Sequence, residues 1–165
     1  MSDYCVVIAS GGRARFFTLE TADFPELESG PRLIDRGGLT NPGKETPERE
    51  LFADSKTGGG RAPQGGPAHG YDDHREKHED EMDRRFARSV FERIRRLATG
   101  CGARCVVVAA PSRMLGLLRQ DLETLVKQGV ALHTVAKDMT KFAPELVHQH
   151  LAKEGLLPGC RRPGV

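Results

Sequence analysis

Residues 4–10, Tyr-Cys-Val-Val-Ile-Ala-Ser, form a short unbroken apolar run rich in β-branched side chains. Such a run predicts a strand covered on both faces. Gly11-Gly12 interrupts it, and Ala14-Arg15-Phe16-Phe17-Thr18-Leu19 resumes a strand, so the pair predicts a hairpin with a Gly-Gly turn. A third strand is expected over residues 32–36 on Leu33 and Ile34, after turn chemistry at Pro25 and Gly30-Pro31. Further along, Met82, Phe86, Val90, Ile94 and Leu97 recur at three- and four-residue steps. That spacing predicts an amphipathic helix of about six turns. Its start reads as acid-rich and its end as basic (Arg93, Arg95, Arg96), a favourable sense for the macrodipole, and Gly100 and Gly102 end it.

Cys105–Ala110 then reads as a second buried strand. Pro111-Ser112 opens a helix from about Arg113 to Lys127, with Leu115, Leu118, Leu122 and Leu125 inward, and Gly129 stops it. Val130–Val135 is the last expected strand. Thr140 is placed to cap a final helix, Phe142–Lys153, with Leu146, Val147 and Leu151 inward. The order predicts an α/β fold: a ribonuclease-H-like mixed sheet of about five strands, three antiparallel and then two parallel through right-handed crossovers, with three helices.

Between these elements the composition changes. From Gly37 to Gly70, 13 of 34 residues are Gly or Pro, and only Leu39, Leu51 and Phe52 are large and apolar. A segment of that kind cannot offset its ordering entropy by burial. The expected organisation is one α/β domain over residues 1–154, a flexible insertion loop over 37–71, and a frayed Gly/Pro-rich tail over 155–165.

Charge narrows the function classes. The 165 residues carry 25 Lys and Arg against 23 Asp and Glu, so no whole-chain field draws in a polyanion and any such contact must be local. No apolar run approaches the ~20 residues of a membrane span. Met1-Ser2-Asp3-Tyr4 lacks the basic start of a signal peptide, so a cytoplasmic protein without membrane insertion is expected. Cys5, Cys101, Cys105 and Cys160 have neither metal-type nor disulfide-scaffold spacing, and Cys101 and Cys105 are too far apart for a Cys-x-x-Cys redox pair.

The chemistry-bearing patterns point to binding rather than catalysis. The first strand contains no Asp or Glu, whereas ribonuclease-H-like nucleases place a metal-binding carboxylate there. His74 and His78 stand four apart and are candidate metal ligands, but His-Arg-Glu-Lys-His is not the His-Glu-x-x-His order, and a charged helix start accounts for it. No cofactor loop is present. Arg13 and Arg15 in the hairpin, with Arg113 and Arg119 on the helix after the fourth strand, can form a phosphate-binding surface with Lys137 and Lys141, or simply a solvated face. With two Tyr and no Trp, base stacking is poor, so backbone contacts are expected and no reading of DNA sequence. In the loop, Gly58-Gly59-Gly60-Arg61 and Gln64-Gly65-Gly66 allow close backbone approach to a ligand, and Gln64 could position a water. A flexible linker is the alternative.

Several of these stretches together resemble a known family. Gly11-Gly12-Arg13-Ala14-Arg15-Phe16-Phe17 after a buried strand is similar to the opening of the bacterial host-attachment proteins. Phe86-Ala87-Arg88 continues the likeness, as does Ala110-Pro111-Ser112-Arg113-Met114-Leu115-Gly116-Leu117-Leu118-Arg119, where Ser112 replaces a usual second proline. Lys137-Asp138-Met139-Thr140 completes it. The resemblance implies binding roles for Gly11, Gly12, Arg13, Arg15, Arg113, Gly116, Arg119, Asp138 and Thr140. The family is in turn similar to the middle domain of archaeo-eukaryotic release factors, whose Gly-Gly-Gln loop promotes peptidyl-tRNA hydrolysis. Here Gln64-Gly65-Gly66 runs in the reverse order, so the resemblance implies the fold and not the hydrolase. The expected function is a cytosolic binding module for ribosome or RNA. Alternatives are an adaptor with a protein partner that affects attachment indirectly, and a peptidyl-tRNA esterase using Gln64.

Overall fold

The computed structural model describes residues 2–42 and 68–163, with side chains described from residue 77 onward in the second stretch. Among them are strands β1 (Tyr4–Ala9), β2 (Arg13–Glu20) and β3 (Arg32–Thr40), helix α1 (Ala68–Cys101), strand β4 (Cys105–Ala109), helix α2 (Ser112–Lys127), strand β5 (Ala131–Val135) and helix α3 (Pro144–Lys153). The sheet order is β3-β2-β1-β4-β5. β1 pairs antiparallel with β2 (Ala9 opposite Ala14) and parallel with β4 (Val6 opposite Val107), and β4 pairs parallel with β5. The expected three antiparallel and two parallel strands are therefore present.

The alternation of side chains sorts the core into two layers. Val7, Phe16, Val90, Ile94, Leu118 and Leu122 fill the side covered by α1 and α2. Val6, Ile8, Phe17, Met139, Val147 and Leu151 fill the side covered by α3. β1 and β4 lie between both layers, which is why their sequences are apolar without alternation.

Several boundaries differ from expectation. β3 does not stop at Arg36 but continues through Gly37 and Gly38 to Thr40, so the insertion does not begin at 37. Gly38 is there for close approach: a Cβ would stand 2.7 Å from the Ala14 carbonyl oxygen. Gly37, at φ 101°, takes a conformation that other residues rarely adopt. α1 starts at Ala68 and runs 34 residues, well beyond six turns, so residues 68–71 are helical rather than loop. Neither an acidic residue in its first turn nor a basic one in its last turn is present, so the expected macrodipole pairing is absent. The first turn of α3 holds Pro144 at its start instead of a Thr140 cap. Leu146 on α3 is exposed, while Val147 and Leu151 are buried.

The segment after Gly155, expected to fray, packs instead. Leu157 is buried in the α3-side core. The backbones of Gly30 and Arg161 exchange hydrogen bonds of 3.0 and 2.8 Å. The buried His148 ring lies 2.7 Å from the Pro158 carbonyl oxygen. The buried Leu157, the partly buried Leu156 and one backbone bridge hold this short segment, and a Gly/Pro count does not register them.

Near the far end of β2, Glu20 gathers three donors: the Ser2 hydroxyl, the Thr18 hydroxyl at 3.1 Å and Arg36 at 3.0 Å. The Ser2 hydrogen bond leads in holding the Glu20 carboxyl below its ordinary 4.5, helped by Thr18 and Arg36 and opposed by partial burial. A depressed folded pKa contributes stability that is full above about 4.5 and disappears as pH falls through the folded value. Glu20→Gln is therefore expected to lower stability at neutral pH, only slightly because the group is largely solvated, and to converge with wild type in acid, which flattens the acid side of the profile. Urea midpoints measured from about pH 6 to pH 3 check this.

Candidate functional site

The carboxyl ends of β1, β4 and β5 lie at one end of the sheet, since the three strands are parallel. In open α/β sheets this is the end where ligands bind. Three connections meet here: the β1–β2 turn at Gly11-Gly12, the β4–α2 junction at Pro111-Ser112-Arg113, and the segment 136–143 after β5. Arg13, Arg113, Asp138 and Thr140 thus lie at this end of the sheet, but in separate places.

On the α3 side, Arg13 donates to the Thr140 carbonyl oxygen at 2.5 Å, and Arg15 donates to the Phe142 carbonyl oxygen at 2.8 Å. Odd-numbered β2 side chains from 13 to 19 point to this side, which is why the two arginines act together. Arg15 also lies over the Phe17 ring at 5.0 Å and stands 4.0 Å from Asp35. The turn they hold is closed from within. The Asp138 carboxylate accepts from the Thr140 backbone N–H at 2.9 Å and from its hydroxyl at 2.6 Å. Thr140 is thereby engaged in the turn and does not cap α3. Lys137 and Lys141 are exposed on the same turn, with Lys137 5.8 Å from the Phe142 ring centre.

On the α1 and α2 side a second network joins four elements. Asn41, buried just past β3, donates its side-chain N–H to the Gly11 carbonyl oxygen at 2.9 Å and its backbone N–H to the Gly12 carbonyl oxygen at 2.8 Å. The same amide donates to the buried Asp83 carboxylate at 3.3 Å. Asp83 in turn accepts from Arg113 at 3.1 Å, and Arg113 also pairs with Asp80. The hydrogen bond to Asp80 is the chief cause raising the Arg113 pKa, followed by the charges of Asp80 and Asp83. Arg113 is thus directed at two carboxylates, on the opposite side of the sheet from Arg13, and the single shared arginine surface expected from the sequence does not form.

Gly116 and Arg119 occupy a third place. They line an open groove between α2 and β5 with Leu115, Leu122, Leu132 and Thr134. Six residues separate Arg119 from Arg113, a rotation of about 240° on a helix, so the two point apart. Arg119 faces Glu123 at 3.9 Å.

Asn41 and Asp83 escaped the sequence reading. Asp83 carried a signal: it precedes Ala87, Val90 and Ile94 at helical spacing, a polar residue on the apolar stripe. Asn41 gave none, because it follows Gly37-Gly38 in what reads as loop.

Gln64, Gly58, Gly59, Gly60, Arg61, Gly65 and Gly66 lie outside the described residues, as does the side chain of His74. His78 is exposed on α1. Among the described residues no three His, Cys, Asp or Glu come together as metal ligands. Burial, with the nearby Cys101 and Cys105 thiols, pushes the Cys5 thiol up to about 12, and burial also raises Cys105. Neither is a thiolate nucleophile at neutral pH. Among the described residues no helix is long and apolar enough to cross a membrane.

The family model described as "Protein required for attachment to host cells" matches residues 5–151, from β1 into α3. The chain belongs to this family. The match takes in every element of the sheet and both networks of the host-attachment protein. No curated protein matches it.

Proposed function

We propose that this host-attachment protein is a cytosolic binding module that engages the ribosome or RNA from the carboxyl end of its parallel strands, with attachment to host cells as a downstream effect. The observation that carries the reading is the Arg13, Arg15, Lys137 and Lys141 cluster on the α3 side. The chief partners of Arg13 and Arg15 are backbone carbonyl oxygens, which leave their positive charge in place. Among the described residues Asp35, 4.0 Å from Arg15, is the one carboxylate paired with any of these four cations. Such a patch suits phosphate contacts that position a nucleic acid without reading bases. Asn41 adds to it by tying the strand that leads into residues 43–67 and the helix that leads out of them to the same end of the sheet. The resemblance of the family to release-factor middle domains supports this reading, as binding rather than hydrolysis.

Co-sedimentation of the full chain with purified ribosomes tests the proposal. Association is expected at about 50 mM salt and should weaken steeply towards 200 mM, as counterion release requires. Lys137→Gln/Lys141→Gln should shift the loss to lower salt. Absence of any association at low salt would overturn the reading.

A further inference from the structure

The most basic stretch of the chain lies outside this cluster. Residues 82–104 contain seven arginines and no lysine, against Asp83 and Glu92 alone, in a chain whose net charge is +2. Asp83 is buried and turned to Asn41 and Arg113, so it does not offset the outer face. Arg93 is drawn inward, donating to the Arg36 carbonyl oxygen at 2.9 Å and covering Phe16. Arg84, Arg85, Arg88, Arg95 and Arg96 are exposed. At ~100° per residue they share an arc of about 120° on α1, opposite the buried stripe of Phe86, Ala87, Val90 and Ile94, and span about 18 Å along the axis.

Ordinary helix stabilisation accounts for only part of this set. Arg85 pairs with Glu81 at 2.7 Å and Arg95 with Glu92 at 2.9 Å. The side chains of Arg84, Arg88 and Arg96 take part in no hydrogen bond or ion pair among the described residues. Nor do they complement the macrodipole, whose reach is the last turn, because α1 has no basic residue there. Like charges one turn apart, as at Arg84 and Arg88, cost a few tenths of a kcal/mol in an isolated helix. The exclusive use of arginine matches the planar, bidentate recognition of phosphate that lysine does not provide.

We infer that the outer face of α1, through Arg84, Arg88 and Arg96, binds the phosphodiester backbone of a single-stranded nucleic acid. The inference rests on the ribosome and RNA reading above and adds a second contact on the long helix to that of the hairpin cluster. Contacts confined to phosphate carry no base preference.

Fluorescence anisotropy with labelled 20-nucleotide strands, one RNA and one DNA, tests it on the full chain across about 50–200 mM salt. Each phosphate neutralised on a single strand contributes about 0.7 to the log–log salt slope, so Arg84→Gln/Arg88→Gln/Arg96→Gln should lower its magnitude by about 2. The variant should bind at least tenfold more weakly at low salt, while the corresponding lysine triple keeps the salt slope but loses about threefold in affinity. Lys127→Gln, at the end of α2, should behave as wild type. Glutamine has nearly the helix propensity of arginine, so an unchanged melting temperature is expected and separates lost binding from lost fold. Binding of both strands, or preference for one, identifies the source and keeps the assignment. If wild type binds and the glutamine triple binds equally with the same slope, the inference falls and the ribosome reading stands. If wild type binds neither strand, the inference falls, while the co-sedimentation with ribosomes decides the reading it rests on. Equal affinity for polyglutamate of matched charge would make this a face for acidic proteins and overturn the assignment.

Discussion

Truncating Phe16 or Phe17 to alanine should each remove about 3–5 kcal/mol of stability, the usual cost of deleting a fully buried aromatic ring. Both side chains are completely buried. They are neighbours in sequence but serve different layers: Phe16 packs with the α1 and α2 core, Phe17 with the α3 core. Each loss therefore leaves its own cavity, and repacking in one layer does not relieve the other. Phe16→Ala carries an added consequence, since Arg93 stands 5.6 Å over that ring and loses its apolar support. The combined Phe16→Ala/Phe17→Ala chain loses an amount comparable with the whole stability of an ordinary domain, roughly 5–15 kcal/mol. It should be largely unfolded without denaturant. Urea titrations of the single variants and circular dichroism of the double variant check both statements; a single-variant loss below about 1 kcal/mol would mean that the rings are not closely packed.

The second large effect is expected at the polar core. Asn41 and Asp83 are buried at 1% and 2% exposure and joined at 3.3 Å. Removing one partner leaves the other desolvated with a bond missing, which costs about 1–3 kcal/mol. Asn41→Ala also takes away the donor to the Gly11 carbonyl oxygen, so about 2–3 kcal/mol is expected there. Asp83→Ala leaves Arg113 with Asp80 alone and takes the buried carboxylate from the Asn41 amide, and about 2 kcal/mol is expected. Because the two residues share one bond, the double variant should cost about 1 kcal/mol less than the sum of the singles. Strictly additive losses would mean that the amide and the carboxylate do not support each other. The same cycle reads the geometry of the Gly11-Gly12 turn, since chemical shifts there should move with Asn41→Ala and far less with Arg119→Ala.

Apolar pattern carried most of the architecture. The unbroken runs at 4–9 and 105–109 and the three-and-four spacing of α1 and α2 state their own burial. What it could not carry depends on partners distant in sequence. The glycines at 37 and 38 argue against a strand until the Ala14 carbonyl oxygen is seen against one of them. Leu157 looks like part of a loose tail until the core behind α3 is in place. Of the candidate site, the end of the sheet was legible because turns and helix starts follow strand ends. The division of Arg13 from Arg113 was not, because alternation along β2 fixes a side only once the layers are assigned.

The placement of β1 at the centre has a consequence for the order in which the protein takes shape during synthesis. Its hairpin partner β2 follows after three residues, but its other neighbour, β4, begins at Cys105, with 64 residues intervening after the end of β3 at Thr40. At ~5–20 residues per second a ribosome needs roughly 3–13 s to make that stretch. For those seconds the most apolar strand of the nascent chain has one side without a partner, open to pairing with another chain. Slower elongation between Thr40 and Cys105 should therefore lower the soluble yield more than the same delay after Val135.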